Sequence, residues 1–184
     1  RLRHGLDERL RDGTATFSAR VAAAQRVLGP VQLSLDLSSR KISAAGEVIS
    51  LPPAELALLS VFARHAKENS VPLTAPAKGV PDPEWARRYL VELRKIAGDM
   101  ADLDSTEHAL RQGMDGEYFS SRLSKLRKKL KHALGPAAAA PYLIDDGGTR
   151  PRRYRLALEP GAVRFEALAR PDDDNTRRQD KVFS

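Results

Sequence analysis

The segment that most restricts the fold lies between Tyr118 and Leu134. At about 100° per residue, Phe119, Leu123, Leu126, Leu130 and Leu134 fall within an arc of about 80°, and Arg122, Lys125, Lys129 and His132 occupy a neighbouring arc of similar width. Such a run predicts a helix that buries one face and presents cations on the next. Gly135-Pro136 ends it, because glycine readily adopts the left-handed residue that closes a helix and proline cannot continue one. A hairpin pattern follows an alanine-rich spacer: Pro141-Tyr142-Leu143-Ile144 runs into Asp145-Asp146-Gly147-Gly148 and returns through Tyr154-Arg155-Leu156-Ala157-Leu158. The Asp-Gly pair supplies the positive dihedrals that such a connection needs. Arg150, Arg152, Arg153 and Arg155 sit on its loop and return strand, so a cationic hairpin follows directly on a cationic helix.

The rest of the chain reads as support for these two elements. Residues 1–30 predict a mostly helical connector, since Phe17, Val21, Ala24 and Leu28 recur at helical spacing and Gly29-Pro30 stops it. That apolar stripe needs a partner: a second copy of the chain is the expected one, and the domain of the same chain is the alternative. Val31, Leu33 and Leu35 then alternate with polar residues, and after the turn at Ser38-Ser39 come Lys41-Ile42 and, beyond Ala45-Gly46, Val48-Ile49. This predicts a small antiparallel sheet with one buried face. Pro53 suits the first turn of a helix, Glu55 favours its positive end, and the run from Leu56 to Phe62 is apolar nearly all round, so this helix belongs in the core. From Asn69 to Pro83 the density of proline predicts a surface loop. A second helix is expected from about Asp82 to Gly98, with Trp85 and Tyr89 as core residues, and a short third one from Ser105 to Gln112. The expected organisation is a connector (1–30), an α+β domain (31–168) and a flexible charged tail (169–184).

Charge and composition narrow the function. Of the formal net charge of +7, the whole surplus arises between Glu117 and Leu158, where ten basic residues face three acids. A neutral body with one strongly basic segment is the footprint of a module that meets polyanions. Absence of cysteine excludes disulfides, thiolate zinc sites and a cysteine nucleophile, and fits a cytoplasmic setting. No apolar run approaches the roughly 20 residues of a membrane span. His4, His65, His108 and His132 have no paired spacing, so no metal site is expected. No glycine-rich phosphate loop or nucleophile–base pattern is apparent either, and no cofactor or catalytic residue is expected. His132, beside Lys128, Lys129 and Lys131, is the local candidate for an RNase alternative. The sequence opens on Arg1 in a charged segment, as a piece of a longer protein would.

The order of elements, a small sheet, a buried helix, further helices ending in a basic one, and a hairpin with an arginine-rich tip, describes a winged helix-turn-helix. It resembles the DNA-binding effector domain of OmpR-type response regulators in Leu51-Pro52-Pro53-Ala54-Glu55-Leu56, in the run Ser121-Arg122-Leu123-Ser124-Lys125-Leu126-Arg127-Lys128-Lys129-Leu130, and in Tyr154-Arg155-Leu156. Pro52 stands where those domains carry a hydroxyl cap, and the stretch between the first and last helices is longer. Arg1-Leu2-Arg3-His4-Gly5-Leu6, Phe17-Ser18, Ala22 to Ala24, Leu51 to Ala57, Gly113-Met114, Leu134-Gly135 and Pro141 to Ile144 together resemble the C-terminal half of a CRISPR-associated family. Its members join a CARF sensor of cyclic oligoadenylate to a winged-helix part. The resemblance spans Arg1 to Phe165. It implies a dimeric protein of type III CRISPR antiviral defence, in which the sensor, absent from this sequence, meets the cyclic oligoadenylate and carries any nucleotide cleavage. On this reading the chain binds nucleic acid, DNA before RNA, through Arg122, Lys125, Lys128, Lys129, His132, Arg150, Arg152 and Arg153. The alternatives are a protein-interaction or dimerisation module of the same system and an OmpR-type regulator's effector domain.

Overall fold

The computed structural model of the chain describes residues 17, 19–21, 24, 29–97, 102–148 and 150–168. The tail from 169 onward and most of the connector, Leu28 included, lie outside them. The described chain is α+β, with helices and two small sheets. In order its elements are β1 (Leu33–Asp36), β2 (Lys41–Ala44), β3 (Glu47–Ser50), α1 (Pro53–Lys67), β4 (Leu73–Thr74), α2 (Pro83–Ala97), α3 (Asp102–Ala109), α4 (Gly116–Leu134), α5 (Pro136–Ala139), β5 (Ile144–Asp145), β6 (Arg153–Leu156) and β7 (Val163–Phe165).

The first sheet follows from the alternation read in the sequence. β1, β2 and β3 form an antiparallel meander in which Leu35 faces Ile42 and Ile42 faces Ile49. Leu33, Leu35, Ile42, Ala44 and Ile49 are buried, as are Leu56, Leu58, Leu59 and Phe62 of α1. Val31, expected on the buried face, is exposed instead, because it precedes the first strand. The sequence gives no sign of the fourth strand: β7 adds to the free edge of β1 in parallel, Leu33 facing Val163 and Leu35 facing Phe165. Asp36 fixes this edge. Its Oδ1 accepts from the backbone and hydroxyl of Ser38 and the backbone of Ser39 at the turn, and its Oδ2 accepts from the Leu168 amide at 2.9 Å. Burial alone would raise this carboxyl, but those hydrogen bonds hold it well below the usual carboxylate range.

The second sheet, ordered β4-β6-β5, closes the other end, with Leu73 facing Tyr154 and Ile144 facing Leu156. An aromatic cluster joins four elements: Phe119 packs edge-on to Trp85 at 5.0 Å and to Tyr154 at 5.3 Å, and Phe62 lies 5.8 Å from Trp85. Trp85 and Tyr89 are core residues, as their helical spacing predicts.

Four features differ from expectation. The alanine spacer is itself helical in α5, because Pro136 at its start and four alanines favour one more turn. Pro141 and Tyr142 belong to a 3-10 turn, so the hairpin begins at Ile144 instead of Pro141. The proline loop contains β4, since Leu73 is buried against β6, and the short third helix starts three residues earlier than expected.

Candidate nucleic-acid interface

The geometry of α4 starts at Asp115, whose carboxylate accepts from the Tyr118 amide at 2.9 Å and caps the helix. Phe119, Leu123, Leu126, Leu130 and Leu134 are buried in the aromatic core and the floor beneath it. This orients the helix, and Lys125, Lys128, Lys129 and His132 consequently stand exposed on the outer side.

Arg122 differs from these four. Its side chain is 27% exposed and turned inward, with Nη1 3.3 Å from Oε1 of the buried Glu55 and its guanidinium 5.1 Å from the centre of the Tyr118 ring. Its Nε is buried without a partner. Beside it the Tyr118 hydroxyl donates to that of Tyr89 at 3.4 Å, and Tyr89 donates to the carbonyl of Ala54 at 3.2 Å. Burial first, and then the Tyr118 bond, pushes the Tyr89 phenol far above its ordinary value. Glu55, read in the sequence as a helix-end charge, is thus the inward partner of α4.

Arg127, which the sequence does not single out, ties the helix to the hairpin. Its Nε and Nη2 both donate to the carbonyl of Ile144, at 3.0 and 2.6 Å. At 100° per residue Arg122 and Arg127 flank the buried arc on opposite sides, and this position beside apolar neighbours is the signal that sets them apart from the outer cations.

In the hairpin, Gly147 and Gly148 take φ of 58° and 73°, as the Asp-Gly pattern requires. Asp146 accepts from the Gly148 amide at 3.0 Å and pairs with Arg152 Nε at 3.5 Å, so the turn organises one of its own arginines. Arg150, Arg152 and Arg153 are exposed. The structure therefore brings the hairpin's first strand to the helix while setting Arg122 apart from the exposed row.

Among the described residues no group of three or more His, Cys, Asp or Glu side chains could hold a metal ion, and no helix is long and apolar enough to cross a membrane. No family model matches the chain, and no curated protein or solved structure matches it either.

Proposed function

We propose that residues 31–168 form a winged helix-turn-helix that binds duplex nucleic acid, DNA before RNA. In this reading α4 enters the groove, the β5–β6 hairpin is the wing, and α2 precedes α4 in the motif with α3 inserted between them. The observation that carries the proposal is the division of α4: one side buried in the core, the other an exposed row of Lys125, Lys128, Lys129 and His132, with a cationic hairpin bonded to the same helix through Arg127. Arg150, Arg152 and Arg153 act from the wing on the phosphate backbone. Arg122 positions the helix.

The same reading makes the chain the output part of a CRISPR-associated, cyclic-oligoadenylate-responsive protein in antiviral defence, as the resemblance implies. It acts by binding and not by catalysis, and the cyclic nucleotide influences it only through the sensor. A second reading, self-association through the connector, is favoured by Phe17 and Val21, which are 68% and 39% exposed at helical spacing. The two are compatible, because a dimer presents two reading helices to two half-sites.

Charge reversal tests the interface. Lys125→Glu with Lys129→Glu removes duplex binding while the thermal transition stays within a few degrees of wild type, since both side chains are exposed. Retained affinity in that variant overturns the assignment of α4.

A further inference from the structure

The loop from residue 75 to residue 82 is fastened to the start of α4. Asp82 and Met114 exchange backbone hydrogen bonds of 2.9 Å in both directions, and the Gly116 amide donates to the Ala77 carbonyl at 3.0 Å. Just before the loop, the Trp85 indole donates to the Thr74 carbonyl at 2.8 Å. The approach is so close that it requires glycine: a Cβ on Gly116 would stand 2.7 Å from the Pro76 carbonyl oxygen, and one on Gly113 2.6 Å from the Asp82 nitrogen. Pro76 and Pro81 further restrict the backbone between these attachments. The loop is thus a fixed part of the helix's first turn.

What it carries there is a cation. Lys78 is 83% exposed at its side chain, and its Nζ lies 3.3 Å from the carboxylate of Glu117. An ion pair this open contributes little to folding, so it is easily exchanged for another partner. Glu117 suits the positive end of α4, yet it would repel a polyanion approaching that end. Lys78 cancels that repulsion. Glu117, Ser121, Ser124 and Lys128 follow one another at positions i, i+4, i+7 and i+11, and all four are exposed. The row ends in Lys128 at one side and, at the other, in Glu117 with Lys78 beside it, and has serines between. From Glu117 to Lys128 it spans about 16 Å along the axis, enough to cross the roughly 12 Å width of a major groove.

We infer that the proline loop is a third contact with duplex DNA, with Lys78 binding a phosphate on the side of the groove opposite Lys128. The inference rests on the reading of α4 as the groove helix and adds a contact outside both helix and wing. It gives Lys78 a sequence-independent role, since phosphates are the same beside every base pair.

The test is the salt dependence of binding to a random-sequence duplex of about two helical turns, measured by fluorescence anisotropy. Neutralising one phosphate contributes about 0.9 to the slope of log affinity against log salt. Lys78→Ala should make the slope less steep by about that amount and weaken binding equally on unrelated sequences, whereas Lys41→Ala, on β2 in the other sheet, should leave it unchanged. A wild-type slope in Lys78→Ala, with the wild-type protein binding normally, overturns this inference and spares the reading of α4. Failure of the wild-type protein to bind at low salt overturns both.

Discussion

Arg122 Nη1 stands 3.3 Å from Glu55 Oε1, joining the second turn of α4 to the first turn of α1 across the side of the core. Glu55 is almost completely buried, so removing its partner leaves a carboxylate with neither water nor a counter-charge. Arg122→Gln is therefore expected to cost about 3 kcal/mol in urea unfolding, the lower end of the range for broken buried pairs because Arg122 keeps some contact with solvent. Replacing both partners, Arg122→Met with Glu55→Leu, should recover most of that loss. If the double variant is as unstable as the single one, the pair is not what holds α4 to α1.

Arg127 makes a different prediction. Two charged donors converge on one carbonyl, that of Ile144, where the chain enters the hairpin. Hydrogen bonds from charged groups are worth about 1.5–3 kcal/mol. Arg127→Ala should lose about that much and loosen the hairpin, visible as faster amide exchange at Leu156, which pairs with Ile144. Arg127→Lys should restore little, because an ammonium cannot present two fixed donors to one oxygen.

These two arginines also show how far the sequence is legible. The buried stripe of α4, the cap glycine that ends it and the Asp-Gly turn are local: each depends on spacing or on one residue's dihedral freedom, and each is found where the pattern puts it. Lys125, Lys128, Lys129 and His132 are equally legible, since exposure follows from their angle to the stripe. Arg122 shares their charge and arc, but its inward turn depends on Glu55, 67 residues earlier. The pairing of β7 with β1 is hidden for the same reason: three residues carry no usable period, and their partner is distant in the chain. The fastening of the proline loop was likewise unreadable, although Gly113 and Gly116 marked the place.

Asp36 links the turn at Ser38 to the returning end of the domain, and it predicts a pH dependence. Its folded-state carboxyl titrates well below the ordinary 3.8, so the unfolded chain takes up the proton first. The stability it provides is complete above that ordinary value and is lost as the pH falls below 3.8 towards the folded-state value. Asp36→Asn should be less stable than wild type at neutral pH, and the difference should shrink below about pH 4. Chemical denaturation at a series of pH values measures it, and a gap that stays constant down to pH 2 contradicts it.

The exposed pair Phe17 and Val21 predicts association. Covering their apolar area is favourable at about 25 cal/mol per Å², and a second copy of the same stripe offers a matching surface. Sedimentation at micromolar concentration should find a dimer that Phe17→Asp with Val21→Asp converts to monomer. A wild-type monomer under those conditions removes the connector as a dimerising element.

If, as proposed, this domain grips the phosphates of a duplex, wild-type affinity for one random-sequence DNA duplex across a range of salt reveals it. With Lys125, Lys128 and Lys129 on α4, three arginines in the β5–β6 hairpin and Lys78 on the loop as candidate contacts, log affinity should fall linearly with log salt, steeply enough to mark several phosphate contacts at about 0.9 each. An affinity that is absent at low salt, or present and indifferent to salt, rules out phosphate binding by this domain.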